Sequence, residues 1–300
     1  MKLVRFSTNG TAPRLGALLD DRVADLSASV AATLARRGAV RAQEIAAALV
    51  PASARAFLEG GAASLDAVAG ITEWVTVPRA SARLHAPIAD PGKFICIGLN
   101  YKDHAEEANQ PIPKEPPIFP KWANSILDPG EPILRPRGSK QLDWEVELGV
   151  VIGRPARFVS KENALDHVFG YTIINDVSAR DFQFITSQWA AGKVFDTAAP
   201  VGPYIADRTE IRDPHVLELK LWVNGTQMQN GNTKTFIFDV RYIVSYLSSL
   251  MTLMPGDLIA TGTPPGVGFA RKPPVFLGPG DQCRLEITGL GTLENPIKDA

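Results

Sequence analysis

The feature that most constrains the fold is the punctuation after residue 92, where short β-branched and apolar runs alternate with Pro-Gly, Asn-Gly and glycine-rich turns. Runs at 94–97, 146–152, 171–174, 217–223, 258–261 and 283–287 have the length and composition of strands. Asn224-Gly225, directly after one of them, predicts a two-residue type I′ hairpin. Pro255-Gly256-Asp257 and Pro279-Gly280-Asp281 each suit a tight turn entering a strand. A chain divided in this way builds a β-rich domain.

The first part of the chain is different. Of 24 prolines only Pro13, Pro51 and Pro78 precede residue 86. Strands are expected at 2–6, 14–19 and 22–26, then alanine-rich helices near 31–37, 42–49 and 53–68. This reads as a small α/β domain over 1–85, with Pro78 to Pro91 as punctuation before a second domain over 86–300. The two Pro-Gly-Asp turns share no further self-similarity, and no low-complexity tract interrupts the chain.

Three hundred residues, 45% hydrophobic, suffice for a sizeable core without disulfide or metal staples, and no apolar run is long enough to span a bilayer. Residues 1–10 alternate polar and apolar and carry no secretory signal, so a cytoplasmic location away from membranes is expected. The 31 basic and 32 acidic residues are interspersed, which leaves no footprint for nucleic acid. Cys96 and Cys283 sit in apolar strand contexts, as buried, reduced thiols do.

No dinucleotide glycine fingerprint, phosphate loop, His-Glu-x-x-His helix or Gly-x-Ser-x-Gly elbow is present. What stands out is the segment 143–152, Asp-Trp-Glu-Val-Glu-Leu-Gly-Val-Val-Ile. Strand period puts Glu145 and Glu147 on one face. They lie either on a solvated face or, if buried, beside a cation or a proton. A second apolar strand ends in Asn175-Asp176, where the acid either adds a third ligand or caps the segment 177–188. Oxygen-only ligands favour Mg²⁺, Mn²⁺ or Ca²⁺ over zinc.

Three further segments carry candidate groups. A helical turn through Lys102-Asp103-His104-Ala105-Glu106-Glu107 places His104 and Glu107 on one face, as a general-base dyad or a surface ion pair. Lys193, between Gly192 and apolar residues, is either held inward or snorkels to solvent. The loop Thr261-Gly262-Thr263-Pro264-Pro265-Gly266-Val267-Gly268 exposes backbone amides, as an anion-binding turn or as a plain turn does. His85, His167 and His215 read as structural or exposed.

Taken in order and at this spacing, these segments resemble the fumarylacetoacetate hydrolase family, in particular its acylpyruvase-like branch, from about Pro91 to Ile297. The segment 98–107 resembles the family's lid with its His-x-x-Glu dyad. The segment 144–149 resembles its paired-glutamate strand, 175–183 its third-ligand segment, and 261–268 its Gly-Thr-Pro loop. The resemblance implies an α+β fold, a mixed β-sandwich roll that pairs as a homodimer, behind a variable N-terminal domain. It implies Glu145, Glu147 and Asp176 as ligands of Mg²⁺ or Mn²⁺, with Ca²⁺ compatible. It also implies His104 and Glu107 as the base dyad, Lys193 as a catalytic residue beside the metal, and Gln183 and Thr263 as contacts to a 2-oxo acid substrate. The resemblance further implies that Arg180 and Asp181 brace the site from behind. Ile97 stands where the animal enzymes have a further acidic ligand, which implies three carboxylates with open coordination positions and argues against fumarylacetoacetate as substrate.

The activity implied is hydrolysis of the carbon–carbon bond of an acylpyruvate-like 2,4-dioxo acid, to pyruvate or a related 2-oxo acid plus a carboxylic acid, as in the breakdown of aromatic or sugar acids. Oxaloacetate decarboxylation and 2-oxo-dienoate isomerisation use the same ligands and the same enolate chemistry. Residues 108–113 and the pair Arg271-Lys272 are candidates to face the group beyond C4, which would suit an acidic or hydroxylated tail.

Overall fold

The computed structural model describes residues 1–107 and 111–300, and the side chains of all of these except residues 104 and 105. All six expected runs after residue 92 are strands, with ends moved by at most three residues. Among the described residues twelve strands form one mixed sheet and five a second. At the centre of the large sheet, Val146–Ile152 lies antiparallel to both Val168–Asn175 and Leu258–Ala260. Leu258–Ala260 in turn runs parallel to Phe94–Ile97, and Ile118–Lys121 forms the edge.

Alternation along the central strand divides the core. Val146, Leu148 and Val150 pack with Leu219, Leu221 and Leu285 of the second sheet and with Ile243 and Leu247 of the helix Val240–Leu250. Val151 packs on the opposite face with Leu26, Val30, Phe57 and Leu58 from the N-terminal helices. The architecture is thus α+β: a second sheet covers one face of the central sheet, and helices cover the other.

The predicted hairpin forms between Glu218–Val223 and Thr226–Asn232, with φ of 50° at Asn224 and 80° at Gly225. The N-terminal segment departs from expectation in detail. Leu26 opens the helix Leu26–Arg36 instead of ending a strand, because Asp25 accepts a hydrogen bond from the Ala28 amide and caps it. The single helix expected over 53–68 is two, Ala54–Glu59 and Gly61–Ala69, parted at the Gly60-Gly61 pair.

The strand Lys2–Ser7 pairs with Ala199–Asp207, so the large sheet runs through both parts of the chain. The composition boundary at 85/86 falls where the chain leaves the strand Arg83–His85, itself paired with Lys2–Ser7. His85 there is buried between Ser7 and Asp128. Cys96 and Cys283 are free and buried. No helix of the described residues is long and apolar enough to cross a membrane.

Candidate active site and metal centre

Glu147 points to the face shared by Gly149 and Val151, and Glu145 stands two residues earlier on the same side. Both are buried, so the solvated-face alternative does not hold. The register Glu147↔Ile174 carries the neighbouring strand to its end beside them, where the Asp176 amide donates to Glu145 O at 2.9 Å. Asp176 caps no helix: Ser178–Ala179 is a strand, and the short helix Arg180–Gln183 begins after it. One oxygen from each of Glu145, Glu147 and Asp176 lies within 4.8 Å of the others.

Three buried cations surround these acids. Lys193 is held inward, its Nζ 2.8 Å from both Glu145 Oε2 and Asp176 Oδ2. Arg180 donates to Asp143 Oδ2 at 2.9 Å, to Glu145 Oε1 at 2.6 Å and to Gln183 Oε1 at 2.9 Å. Lys121 Nζ stands 2.9 Å from Asp176 Oδ1. Counting Asp143, four buried carboxylates face three buried cations, so the cluster lacks one positive charge when every group is ionised.

The deficit is felt at Glu147. Burial, with the Asp176 and Glu145 carboxylates beside it, pushes its pKa well above the carboxylate range, against the pull of Lys193 and the Gly262 amide. Burial works against the Lys193 ammonium, but Asp176 and Glu145 outweigh it and raise its pKa. Asp176 Oδ1 is buried and accepts no hydrogen bond. A crowded set of buried carboxylate oxygens, short of one positive charge and with one acid held toward protonation, fits a hard divalent cation.

The loop 261–268 does bind anions, and those anions are the site's own acids. Gly262 N donates to Glu147 at 2.8 Å, Gly268 N to Asp143 at 2.6 Å, and Gly266 N to both oxygens of Glu107 at 3.0 and 3.1 Å. Gly262 has φ of +96°, and a Cβ there would meet that of Asn100 at 2.7 Å, so only glycine fits. The backbone of Lys102–Glu107 is helical, and Glu107 reaches this loop, whereas the side chain of His104 lies outside the described residues.

A cavity of about 300 Å³ opens over this cluster. Its polar lining is Glu145, Glu147, Arg180, Gln183, Lys193 and Thr263, so the two residues expected to contact substrate do reach it. Thr263 donates its hydroxyl proton to Val146 O at 2.9 Å and accepts from Gln229 Nε2 at 2.8 Å, which places it firmly in the wall. The apolar wall includes two edge-to-face aromatic pairs, Phe119–Trp189 and Phe184–Phe269. Arg271 does not line it: its guanidinium donates to Met228 O at 2.7 Å, bound to backbone instead of facing a substrate tail. Residues 108–110 lie outside the described residues. Asp181 accepts from Ser139 Oγ at 2.8 Å and the Lys140 amide at 2.7 Å, behind the site.

Sequence reasoning missed Lys121, Gln229 and Asn100. Gln229 reaches from the second sheet to bind Val146 N, Thr263 and Pro264 O. Asn100 ties the start of the 102–107 helix to Thr261 O and to the backbone of Phe238. Their partners are distant in sequence, so no local pattern marks them.

Residues 93–298 match the family model for the fumarylacetoacetate (FAA) hydrolase C-terminal domain. The chain is 42% identical over 304 residues to the mitochondrial oxaloacetate tautomerase fahd2 of Xenopus laevis, covering 99% of this chain and 90% of that one. The solved structure of the fumarylacetoacetate hydrolase from Exiguobacterium antarcticum matches all of both chains, with a TM-score of 0.83 at 36% identity. That of the maleylpyruvate hydrolase from Sphingobium sp. SYK-6, in complex with manganese(II) and pyruvate, also matches all of both chains, with a TM-score of 0.74 at 30% identity. The chain belongs to the fumarylacetoacetate hydrolase family.

Proposed function

We propose that this chain is a divalent-metal-dependent enzyme that moves a proton at C3 of a 2-oxo acid, and that the reaction it performs is keto–enol tautomerisation of oxaloacetate. The observation that carries this reading is the buried Glu145–Glu147–Asp176 triad, one positive charge short, at the base of a cavity lined by Arg180, Gln183, Lys193 and Thr263. These three acids would hold Mg²⁺ or Mn²⁺, with Ca²⁺ admitted by the same oxygens. Once bound, the cation supplies Lewis-acid polarisation of the 2-oxo carbonyl.

The chain's own residues do the rest. Gln183 offers amide donors to the substrate carboxylate, its Oε1 being held by Arg180. Lys193, fixed by two carboxylates, presents a positive charge to the oxygen on which negative charge develops. His104 and Glu107 hold the proton that leaves the enol hydroxyl and arrives at C3. The near full-length similarity to an oxaloacetate tautomerase supports this choice of substrate.

Hydrolysis of a 2,4-dioxo acid is the second reading, favoured by the similarity to a maleylpyruvate hydrolase. It differs in requiring His104 and Glu107 to activate water, which attacks C4 and breaks the C3–C4 bond. The test is the enol absorbance of oxaloacetate, followed with metal-loaded and chelator-stripped protein, beside the loss of acylpyruvates. Metal-dependent enol decay without acylpyruvate loss supports the first reading. Acylpyruvate cleavage without enol decay replaces it with the second.

A further inference from the structure

Lys121 is a buried cation that the chemistry above leaves unused. It ends the edge strand Ile118–Lys121, and its side chain is fully enclosed. Its Nζ donates to Lys193 O at 2.6 Å, Ala198 O at 2.7 Å and Val177 O at 3.3 Å, and stands 2.9 Å from Asp176 Oδ1. An ammonium has three protons, and three carbonyls take them. Asp176 is therefore held by charge, on the oxygen that Lys193 does not use.

These partners come from the segments that build the site. Asp176 and Val177 follow the strand Val168–Asn175, Lys193 closes the turn Trp189–Gly192, and Ala198 leads into Ala199–Asp207. A single ammonium thus joins the backbone that carries one acid of the triad to the backbone that carries the site lysine.

We propose that Lys121 is a positioning residue of the metal site, a role that presupposes the metal reading of the triad. It pins Asp176 through Oδ1, so that Oδ2 faces Lys193 and Glu145. It also anchors the Lys193 carbonyl, so that Lys193 Nζ bridges Glu145 and Asp176.

Two effects of Lys121 on a divalent cation oppose each other. Its charge repels the ion, so removing it would tighten binding if charge dominated. Its contacts pre-organise the ligands, so removing them would weaken binding if placement dominated. The close engagement of Nζ by four oxygens favours placement.

Mn²⁺ titration followed by electron paramagnetic resonance separates the two. The parent should bind one ion. Lys121→Met should bind it roughly 10–100-fold more weakly, with a broadened signal from the bound ion. Parental or tighter binding with a parental spectrum would overturn the proposal. Should Lys121→Met fail to fold, Lys121→Arg decides: the charge is kept while the wider head group displaces the carbonyls, so weaker binding supports placement and parental binding overturns it. A parent that binds no Mn²⁺ would instead remove the metal reading itself.

Discussion

The amide of Gly262 donates to Glu147 Oε2 at 2.8 Å, and among the described residues no buried cation pairs with that carboxylate. Glu145, by contrast, meets Arg180 and Lys193, and Asp176 meets Lys193 and Lys121. Glu147 is the acid of the triad that most depends on a cation from outside the chain.

Glu147→Gln should therefore separate folding from metal binding. The substitution removes a buried, under-compensated acid, so the metal-free variant should melt at or above the parent temperature. Saturating Mn²⁺ at a hundred times its Kd should stabilise the parent by about 2.7 kcal/mol and the variant far less. Calorimetry with and without Mn²⁺ measures both. A variant whose melting temperature rises with Mn²⁺ as much as the parent's would contradict the ligand assignment.

Arg180 lines the cavity and joins Asp143, Glu145 and Gln183. Arg180→Met leaves two buried carboxylates short of a partner and should cost about 3–5 kcal/mol of stability. Urea unfolding reads this directly. A loss below about 1 kcal/mol would mean that the network relaxes around the gap.

Much of this site was legible because strand period is local. The two-residue spacing of Glu145 and Glu147 already put them on one face, and the apolar run around them pointed inward. The hairpin at Asn224-Gly225 was legible for the same reason, since the turn residues carry their own backbone preference. Lys121 was not. In Ile118-Phe119-Pro120-Lys121 the isoleucine is exposed and the lysine enclosed, the reverse of their ordinary preferences. What inverts them is a ring of carbonyls from residues 177–198, brought there by the sheet order. Nor was the place of Arg271 legible, since the Met228 carbonyl that holds its guanidinium lies 43 residues away in the chain.

His104→Ala distinguishes water activation from proton movement at C3. If the dyad activates water, cleavage of an acylpyruvate should fall by a factor of about 10² to 10⁴. Deuterium exchange at C3 of pyruvate, read by NMR, should then survive better than cleavage. Loss of the exchange itself would show that His104 moves the C3 proton, as the tautomerase reading requires.

A homodimer is expected from the edge strand Ile118–Lys121, beside which Ile118 and Trp122 expose apolar surface. Light scattering across micromolar concentrations should give twice the chain mass. A monomeric mass throughout would contradict this.

Proton exchange at C3 of a 2-oxo acid, with the metal as the only variable, addresses the proposed chemistry most directly. Pyruvate in deuterium oxide, followed by proton NMR with chelator-stripped protein, should lose its methyl signal no faster than without protein. Restoring Mg²⁺ should start the exchange in the parent, and Asp176→Asn should abolish it. Exchange that proceeds equally in the stripped protein, or that persists in Asp176→Asn after Mg²⁺ is restored, would contradict a metal-dependent enolisation at this triad.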